Sequence, residues 1–166
     1  MNQQGMSAEV DQFFYSRGYI SVRLRQSVAG PPLINVKIND VDGVYILDSG
    51  AGQTVVDSKQ AEYLKLKMDY KETAYTGGGV GAHGIENVPS YNNKLAIGNY
   101  RIDDQAVAVM SLSTAWESLS QIGMHDELFG IIGVDVLSKG NAIIDFRTMS
   151  LYLKNVEGAE LDQPNH

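Results

Sequence analysis

One aspartate stands where a buried strand is expected to end. The apolar run 44–47 leads directly into Asp48, which is followed by Ser49, Gly50 and Ala51. Such a run is typical of a buried strand, and glycine allows the backbone to turn sharply after it. A carboxylate in this position can act in acid–base chemistry, or it can accept a hydrogen bond within an ordinary turn. The triplet alone favours the ordinary turn, so other features of the chain must show whether Asp48 is catalytic.

Acid–base hydrolysis of a peptide bond without a metal or a covalent intermediate needs two carboxyl groups. One takes a proton from water, and the other, still protonated, polarises the carbonyl. Two carboxylates about 4 Å apart repel by about 4 kcal/mol at an effective dielectric of about 20, so they share one proton and favour acid to neutral pH. The chain has a single Asp-Ser-Gly triplet. Asp135 is a candidate partner within the chain, but its position favours a helix cap.

A glycine-rich stretch, residues 77–84, is the second informative feature. Gly79, Gly81 and Gly84 have the spacing of a dinucleotide-binding loop. Such a loop must open a helix, whereas residues 85–88 have strand character and Pro89 prevents a helix from continuing. The stretch therefore predicts a mobile hairpin tip, and a flexible loop without function is the alternative.

Other catalytic chemistries find little support in the residues. His83 and His125 are too far apart for a short-spaced metal motif, and the chain contains no cysteine. Ser49 lacks the glycine-flanked elbow of a serine hydrolase. We expect neither a metal nor a cofactor.

Two segments, taken in order, resemble the signatures of the retropepsin-like aspartic peptidases. Residues 46–51, Ile-Leu-Asp-Ser-Gly-Ala, followed by Thr-Val-Val at 54–56, resemble the active-site signature. Residues 129–137, Phe-Gly-Ile-Ile-Gly-Val-Asp-Val-Leu, resemble the second signature, and the glycine-rich stretch lies between the two. The resemblance covers about residues 34–153 and indicates a single-lobed, bacterial-type member. It reverses the choice made from the triplet alone.

The resemblance implies an aspartic endopeptidase that acts on a peptide or protein substrate as a homodimer. Asp48 of two chains would meet at a twofold axis, Ser49 would brace the paired turns, and Gly50 would let the two backbones approach closely. The residues implied to bind substrate are Ala51 and, in a flap over the cleft, Gly78, Gly79, Val80 and Gly81. Those implied to support the catalytic loop are Ile131, Ile132 and Gly133. The alternative is a non-catalytic peptide-binding or interaction module that keeps the lobe without a functional aspartate pair.

The chain departs from the retroviral members in ways that bear on dimerisation. Position 49 carries serine rather than threonine, and the chain has an N-terminal extension and a helix-like segment at 111–123 that those members lack. Terminal strands join the two copies in retroviral enzymes. The extra segments therefore leave the mode of dimerisation open.

Composition limits the classes of partner and compartment. The chain has 166 residues, 43% of them hydrophobic, which fits one globular domain with a sizeable core. Its net charge of -7 disfavours nucleic acid, and no apolar run approaches the roughly 18 residues of a membrane span. The N-terminus lacks the pattern of a secretory signal. We expect a cytoplasmic protein as written, or a periplasmic or secreted one if a leader was removed.

Periodicity predicts a mainly β fold, a closed or half-closed antiparallel barrel with one or two short helices. The resemblance implies that this barrel is a retropepsin-like acid-protease half-barrel. We predict an N-terminal extension at 1–18 with a short helix, the peptidase domain at 19–155, and a flexible tail at 156–166. Strands are predicted at 20–24, 34–38, 44–47, 70–76, 85–88, 94–97, 100–103, 106–110, 129–132, 142–146 and 150–153. Helical segments are predicted at 58–66, 111–123 and 134–139, with Asp57 and Ser113 as N-caps and Gly140 as a C-cap. Asp145 is expected to anchor the turn at 147–148.

Overall fold

The computed structural model describes residues 3–76 and 84–155, which form a mainly β fold. The strands are β1 (Ile20–Arg23), β2 (Leu33–Ile38), β3 (Val41–Leu47), β4 (Val55–Asp57), β5 (Ala74–Thr76), β6 (Ile85–Ile97), β7 (Tyr100–Met110), β8 (Leu128–Ile132), β9 (Ile143–Asp145) and β10 (Ser150–Leu153). The α-helices are α1 (Gln3–Tyr15), α2 (Ser113–Gln121) and α3 (Val134–Lys139), and short 3-10 helices span Ser58–Gln60 and Tyr70–Glu72. The predicted fold class is confirmed, and the predicted tail lies outside the described residues.

Seven strands form the main sheet, in the order β2-β3-β8-β4-β7-β6-β5, and an additional β2–β6 pairing closes the sheet on itself. Most pairs in this sheet are antiparallel, as predicted, but the β3–β8 and β4–β7 pairs are parallel, which the prediction of an antiparallel barrel did not include. Strand alternation does not reveal which distant strands pair. The parallel register sets Leu47 beside Ile132, and the ends of β3 and β8 therefore meet at one edge.

The core follows the alternation seen in the sequence. In β2, Ile34, Val36 and Ile38 are buried whereas Asn35 and Lys37 are exposed. Burying such an aliphatic side chain contributes about 1.5–3 kcal/mol, which fixes the register of the β2–β3 hairpin. The hairpin therefore places the end of β3 at the same sheet edge as the end of β8.

A smaller sheet, with the order β1-β10-β9, carries the N-terminal helix. The ring of Phe14 on α1 packs 4.4 Å, centroid to centroid, from that of Tyr152 on β10. The Tyr152 hydroxyl donates to Asp11 at 2.6 Å. Burial raises the pKa of Tyr152 to about 12, and the bond to Asp11 acts in the same direction. The N-terminal extension thus forms the predicted helix, and Phe14 packs that helix against the smaller sheet.

Two predicted elements after β4 are shorter than expected. The helix predicted at 58–66 is a single 3-10 turn, in which the Asp57 carboxylate accepts from the N–H of Lys59 at 3.3 Å, as its predicted cap role requires. Lys65 has a φ of 56°, in the left-handed region, so the chain turns back and buries Leu64 instead of continuing the helix. The strand predicted at 70–76 is a 3-10 turn followed by β5.

Strands β6 and β7 are longer than predicted. The polar run 90–93 suggested a break, but β6 continues through it with two register shifts. The buried amide of Asn93 donates to the carbonyls of Ser90 and Gln105 at 3.0 and 3.1 Å. These bonds satisfy backbone groups that the irregular pairing leaves without strand partners.

The predicted helix caps at Ser113 and Gly140 also need correction. Ser113 is the first residue of α2, Leu112 precedes it, and no side-chain cap bond is made there. Gly140 follows α3, but its φ is -93°, so it does not supply the left-handed conformation of a typical C-cap glycine. A Cβ on Gly140 would lie 2.6 Å from Cδ2 of Leu153, so the close approach of β10 explains the glycine. No helix in the described part of the chain is long and apolar enough to cross a membrane.

Candidate active site

Asp48 lies in an exposed turn directly after the buried strand β3. Its N–H donates to the carbonyl of Ile132 at 3.0 Å, and its own carbonyl accepts from Ala51 at 3.1 Å. The N–H of Gly50 donates to Asp48 Oδ1 at 2.8 Å. The side-chain bond of an ordinary Asx turn is therefore present, and it fixes the orientation of a solvent-exposed carboxylate.

The predicted support residues lie beside this turn. Ile131 and Ile132 of β8 pair with the last two residues of β3, and Ile132 is fully buried. Gly133 follows, and a Cβ added to it would lie 2.7 Å from the carbonyl oxygens of both Ala51 and Gln53. Only glycine allows the two loops to approach this closely. The structure thus brings together the predicted residues 48–51 and 131–133.

A buried hydrogen-bond network links the loop after Asp48 to α3. The Thr54 hydroxyl, which is fully buried, accepts from the N–H of Gly133 at 3.1 Å and donates to Asp135 Oδ1 at 2.8 Å. Gln105 donates to Asp135 Oδ2 at 2.9 Å, and Lys139 donates to Gln105 Oε1 at 2.9 Å. Both oxygens of Asp135 are therefore occupied by neutral donors.

The network corrects the prediction for Asp135. The N-cap of α3 is Gly133, and Asp135 lies within the first turn with its carboxylate bonded to Thr54 and Gln105. Its place in the first turn is favourable for a carboxylate. Thr54 belongs to the first signature and could have been suspected from it. Gln105 gives no signal in the sequence, since one amide in a strand does not reveal its burial or its partner.

Helix α2, within the segment predicted to be helical at 111–123, packs against β3 and β4 from outside. The indole N–H of Trp116 donates to Oδ2 of the buried Asp57 at 2.7 Å. Trp116 and Leu119 pack together against the cluster formed by Leu33, Ile46, Met124 and Leu128. These two side chains therefore lie on the face of α2 that meets the domain.

Surface hollows lie both beside the Asp48 turn and away from it. A hollow of about 350 Å³ is lined by Ser49 together with Val134, Leu137 and Ile144, so it opens beside the turn. Two larger hollows, of about 510 and 610 Å³, are lined by residues of the 35–42, 65–69 and 91–103 regions and contain no residue of the Asp48 turn. Size alone therefore does not locate the site.

Four of the predicted substrate-binding residues, Gly78, Gly79, Val80 and Gly81, lie outside the described residues. Strands β5 and β6, which flank that segment, pair in antiparallel fashion through Thr76 and Ile85. Within residues 3–76 and 84–155, no three His, Asp or Glu side chains are grouped so as to hold a metal ion.

Comparisons with known proteins identify the family and the fold. The sequence profile of a family described as aspartyl protease matches residues 34–136. A retropepsin-like aspartic protease from Rickettsia conorii has a similar structure, with 18% identity, a TM-score of 0.54, and coverage of 81% of this chain and 91% of that one.

The retroviral protease-like domain of Ddi1 from Leishmania major shows 19% identity and a TM-score of 0.49, covering 78% of this chain and 96% of that one. Comparison with curated protein sequences gave no match. The profile match includes the first predicted signature and the second up to Val136, and the Rickettsia protein has a similar fold. The chain belongs to the aspartyl protease family and has the retropepsin-like fold.

Proposed function

We propose that this protein is an aspartic endopeptidase that hydrolyses peptide bonds as a homodimer. The observation that carries the proposal is the exposed carboxylate of Asp48, held at the end of a buried strand by bonds to Ile132 and from Gly50. An Asx turn that served only the backbone would not require the buried support of Gly133 and Thr54 beneath it. The family match adds that this arrangement lies within a protease sequence.

In the proposed mechanism, Asp48 of each copy contributes one carboxyl group to a shared site. The ionised group takes a proton from water, and the protonated group donates a hydrogen bond to the carbonyl of the scissile bond. Water adds to that carbonyl carbon, and the C–N bond then breaks as the amine nitrogen receives a proton. Ser49 braces the paired turns, and Gly50 allows the two backbones to approach.

The substrate in this proposal is an extended peptide with apolar side chains around the cleaved bond. Val55 and Ile131 are half-buried partners in the β4–β8 pair beside the Asp48 turn. They offer apolar surface next to the carboxylate, and Ala51 borders the same turn. The segment with Gly78, Gly79, Val80 and Gly81 would close over the peptide as a flap.

The substitution Asp48→Asn tests this function. We expect peptide hydrolysis to fall by at least about 100-fold, because an amide cannot take a proton from water. Asp42→Asn is the matched control, since it removes an exposed carboxylate from β3, the strand that leads into Asp48. Circular dichroism and sedimentation should show that both variants fold and self-associate like the natural chain.

The outcomes separate the two functional hypotheses. Hydrolysis that persists in Asp48→Asn would rule out the proposed mechanism. A natural chain that binds peptides without cleaving them at any pH from acid to neutral would instead identify the non-catalytic binding module.

A further inference from the structure

The peptide unit between Ile132 and Gly133 is hydrogen-bonded on both of its sides. Its carbonyl, that of Ile132, accepts from the N–H of Asp48 at 3.0 Å. Its N–H, that of Gly133, donates to the buried hydroxyl of Thr54 at 3.1 Å. Because a peptide unit is planar and rigid, a displacement of its N–H also moves its carbonyl. The Thr54 hydroxyl therefore acts on the start of the Asp48 turn through one rigid unit.

The series of hydrogen bonds that starts at the N–H of Asp48 ends on the carboxylate of Asp135. The Thr54 hydroxyl, which accepts from the peptide unit, donates to Asp135 Oδ1 at 2.8 Å. Each group in the series donates to the next one, and bonds arranged in this way polarise one another. A carboxylate at the end of such a series is a strong acceptor. The geometry of the Asp48 turn consequently depends on where the Asp135 carboxylate lies.

The amide of Gln105 bridges Asp135 to an exposed cation on the same helix. Asp135 and Lys139 are four residues apart in α3, so both side chains lie on one face of it. Gln105, a buried residue of β7, donates from Nε2 to Asp135 Oδ2 at 2.9 Å. Its Oε1 accepts from Lys139 Nζ, also at 2.9 Å. The amide thus connects the end of the buried series to the surface of α3.

The Lys139 ammonium determines which way this amide points. An ammonium group donates and cannot accept, so it requires the amide oxygen of Gln105 on its side. The amide nitrogen then donates to Asp135 and, at 2.7 Å, to the carbonyl of Ala106. If the amide turned over, its oxygen would face the carboxylate and the carbonyl, and its NH2 group would face the ammonium. All three contacts would then be repulsive, so Lys139 ensures that a donor faces Asp135.

We propose that Lys139 and Gln105 are positioning residues for Asp48. They act through Asp135 and Thr54, along the continuous series of bonds that ends at the N–H of Asp48. The inference rests on the proposed function, because a positioning residue has a catalytic effect only if Asp48 is catalytic. It adds a residue on the outside of α3 to the groups on which the rate of hydrolysis depends.

Loss of the ammonium should affect the chemical step more than substrate binding. Without Lys139, the Gln105 amide can take either orientation, and Asp135 loses a donor for part of the time. The peptide unit that holds the N–H of Asp48 is then less well fixed, and small misplacements of a catalytic group reduce the rate. The surfaces that bind the peptide stay in place, so KM should change little. A purely structural role would lower stability without separating kcat from KM.

Lys139→Met tests the proposal, because it removes the ammonium at an exposed position and keeps most of the side chain. We expect kcat for peptide hydrolysis, measured well below the unfolding temperature, to fall at least about fivefold, with KM within about twofold. Lys139→Arg keeps a group that only donates and should leave kcat within about twofold. Lys94→Met is the matched control, since Lys94 is exposed and lines the two larger hollows away from the Asp48 turn. Equal losses in Lys139→Met and in either Lys139→Arg or Lys94→Met would overturn the proposal.

A double variant tests whether Lys139 acts through the amide. Gln105→Met replaces the buried side chain with one of similar size that has no amide to orient. In that background we expect Lys139→Met to change kcat by no more than about twofold, because the two residues act in one series. Losses that multiply in the double variant would contradict this route.

Amide hydrogen exchange provides a test that does not depend on hydrolysis. The N–H of Gly133 is bonded to Thr54 in a buried place, so it exchanges only when that bond opens. We expect this N–H to exchange at least about threefold faster in Lys139→Met, as measured by NMR, and at the natural rate in Lys139→Arg and Lys94→Met. An unchanged rate in Lys139→Met would show that the ammonium does not act on the peptide unit, and would overturn the proposal.

The positioning role and the proposed function can fail separately. Hydrolysis that needs Asp48 but is unaffected by Lys139→Met would overturn the positioning role and leave the function standing. Faster exchange of the Gly133 N–H in Lys139→Met, in a protein that hydrolyses no peptide, would support the connection from Lys139 to the turn and overturn the function.

Discussion

The Thr54 hydroxyl donates to Asp135 Oδ1 at 2.8 Å while it accepts from the N–H of Gly133 at 3.1 Å. One buried oxygen atom thus joins the segment after Asp48, the end of β8 and the first turn of α3. These are the elements that border the Asp48 turn. The position of that turn therefore depends on a polar network as well as on strand pairing.

Thr54→Val should show the contribution of this network to stability. Valine keeps the shape but removes the hydroxyl, so the N–H of Gly133 and one oxygen of Asp135 lose their partner in a buried place. We expect the free energy of unfolding in urea to fall by about 1–3 kcal/mol. Thr114→Val, at an exposed position of α2, is the control and should change it by no more than about 0.5 kcal/mol. Equal effects of the two substitutions would contradict the account of the network.

A double-mutant cycle with Asp135→Ala measures the coupling directly. If Thr54 and Asp135 act through their shared bond, the effects of the two substitutions should depart from additivity by about 0.5–3 kcal/mol. The measurement is the free energy of unfolding of both single variants and the double variant. Strict additivity would show that the bond contributes nothing beyond the separate residues.

Gly133→Ala should displace the loop that follows Asp48. The added Cβ would lie 2.7 Å from two backbone oxygens, those of Ala51 and Gln53, and neither can move as a side chain could. We expect the free energy of unfolding to fall by about 1–3 kcal/mol and peptide hydrolysis to fall with it. Gly52→Ala is the control for stability, because nothing lies within 4 Å of a Cβ at that position. A Gly133→Ala variant as stable as the natural chain would show that the loops are not held this closely.

Asp145→Asn should destabilise the fold in a pH-dependent way. Partial burial raises the pKa of Asp145, but bonds from the Thr148 side chain and from the backbone of Arg147 and Thr148 outweigh it and leave the pKa below its ordinary value of 3.8. A carboxyl group whose pKa is lowered by folding stabilises the folded state above the unfolded pKa. That contribution is lost as the pH falls through the folded pKa.

We therefore expect Asp145→Asn to be less stable than the natural chain by about 1 kcal/mol near pH 7, with the difference shrinking below about pH 4. Urea unfolding at a fixed protein concentration and several pH values measures it. A difference that stays constant down to acid pH would contradict the role of the ionised carboxylate.

Local patterns predicted the parts of the fold that depend on neighbouring residues. Alternation at 34–38 and the apolar run at 44–47 predicted the two strands that pair as the β2–β3 hairpin. The carboxylate of Asp145 accepts from the N–H of Arg147 at 2.9 Å, as the turn prediction required. The two signatures predicted that residues 48–51 and 131–133 would lie together, and the structure places them so. Their catalytic and supporting roles stay predictions.

Long-range relationships could not be derived in the same way. The parallel β4–β7 pair joins residues about 50 positions apart, and alternation carries no information on the partner of a strand. The continuation of β6 through its polar run depends on the buried amide of Asn93, which resembles a loop residue in the sequence. The role of Gln105 arises only when β7 and α3 are packed together.

Mixing the natural chain with Asp48→Asn tests the central claim, that two copies share one site. At a fixed total concentration, an equal mixture of freely exchanging copies contains about one quarter natural dimers, so we predict about one quarter of the hydrolysis of the natural protein. Mixing with Asp42→Asn in the same way should leave the rate unchanged. An activity of about one half in the Asp48→Asn mixture would show that each chain works alone, and would contradict a site built from two Asp48 carboxylates.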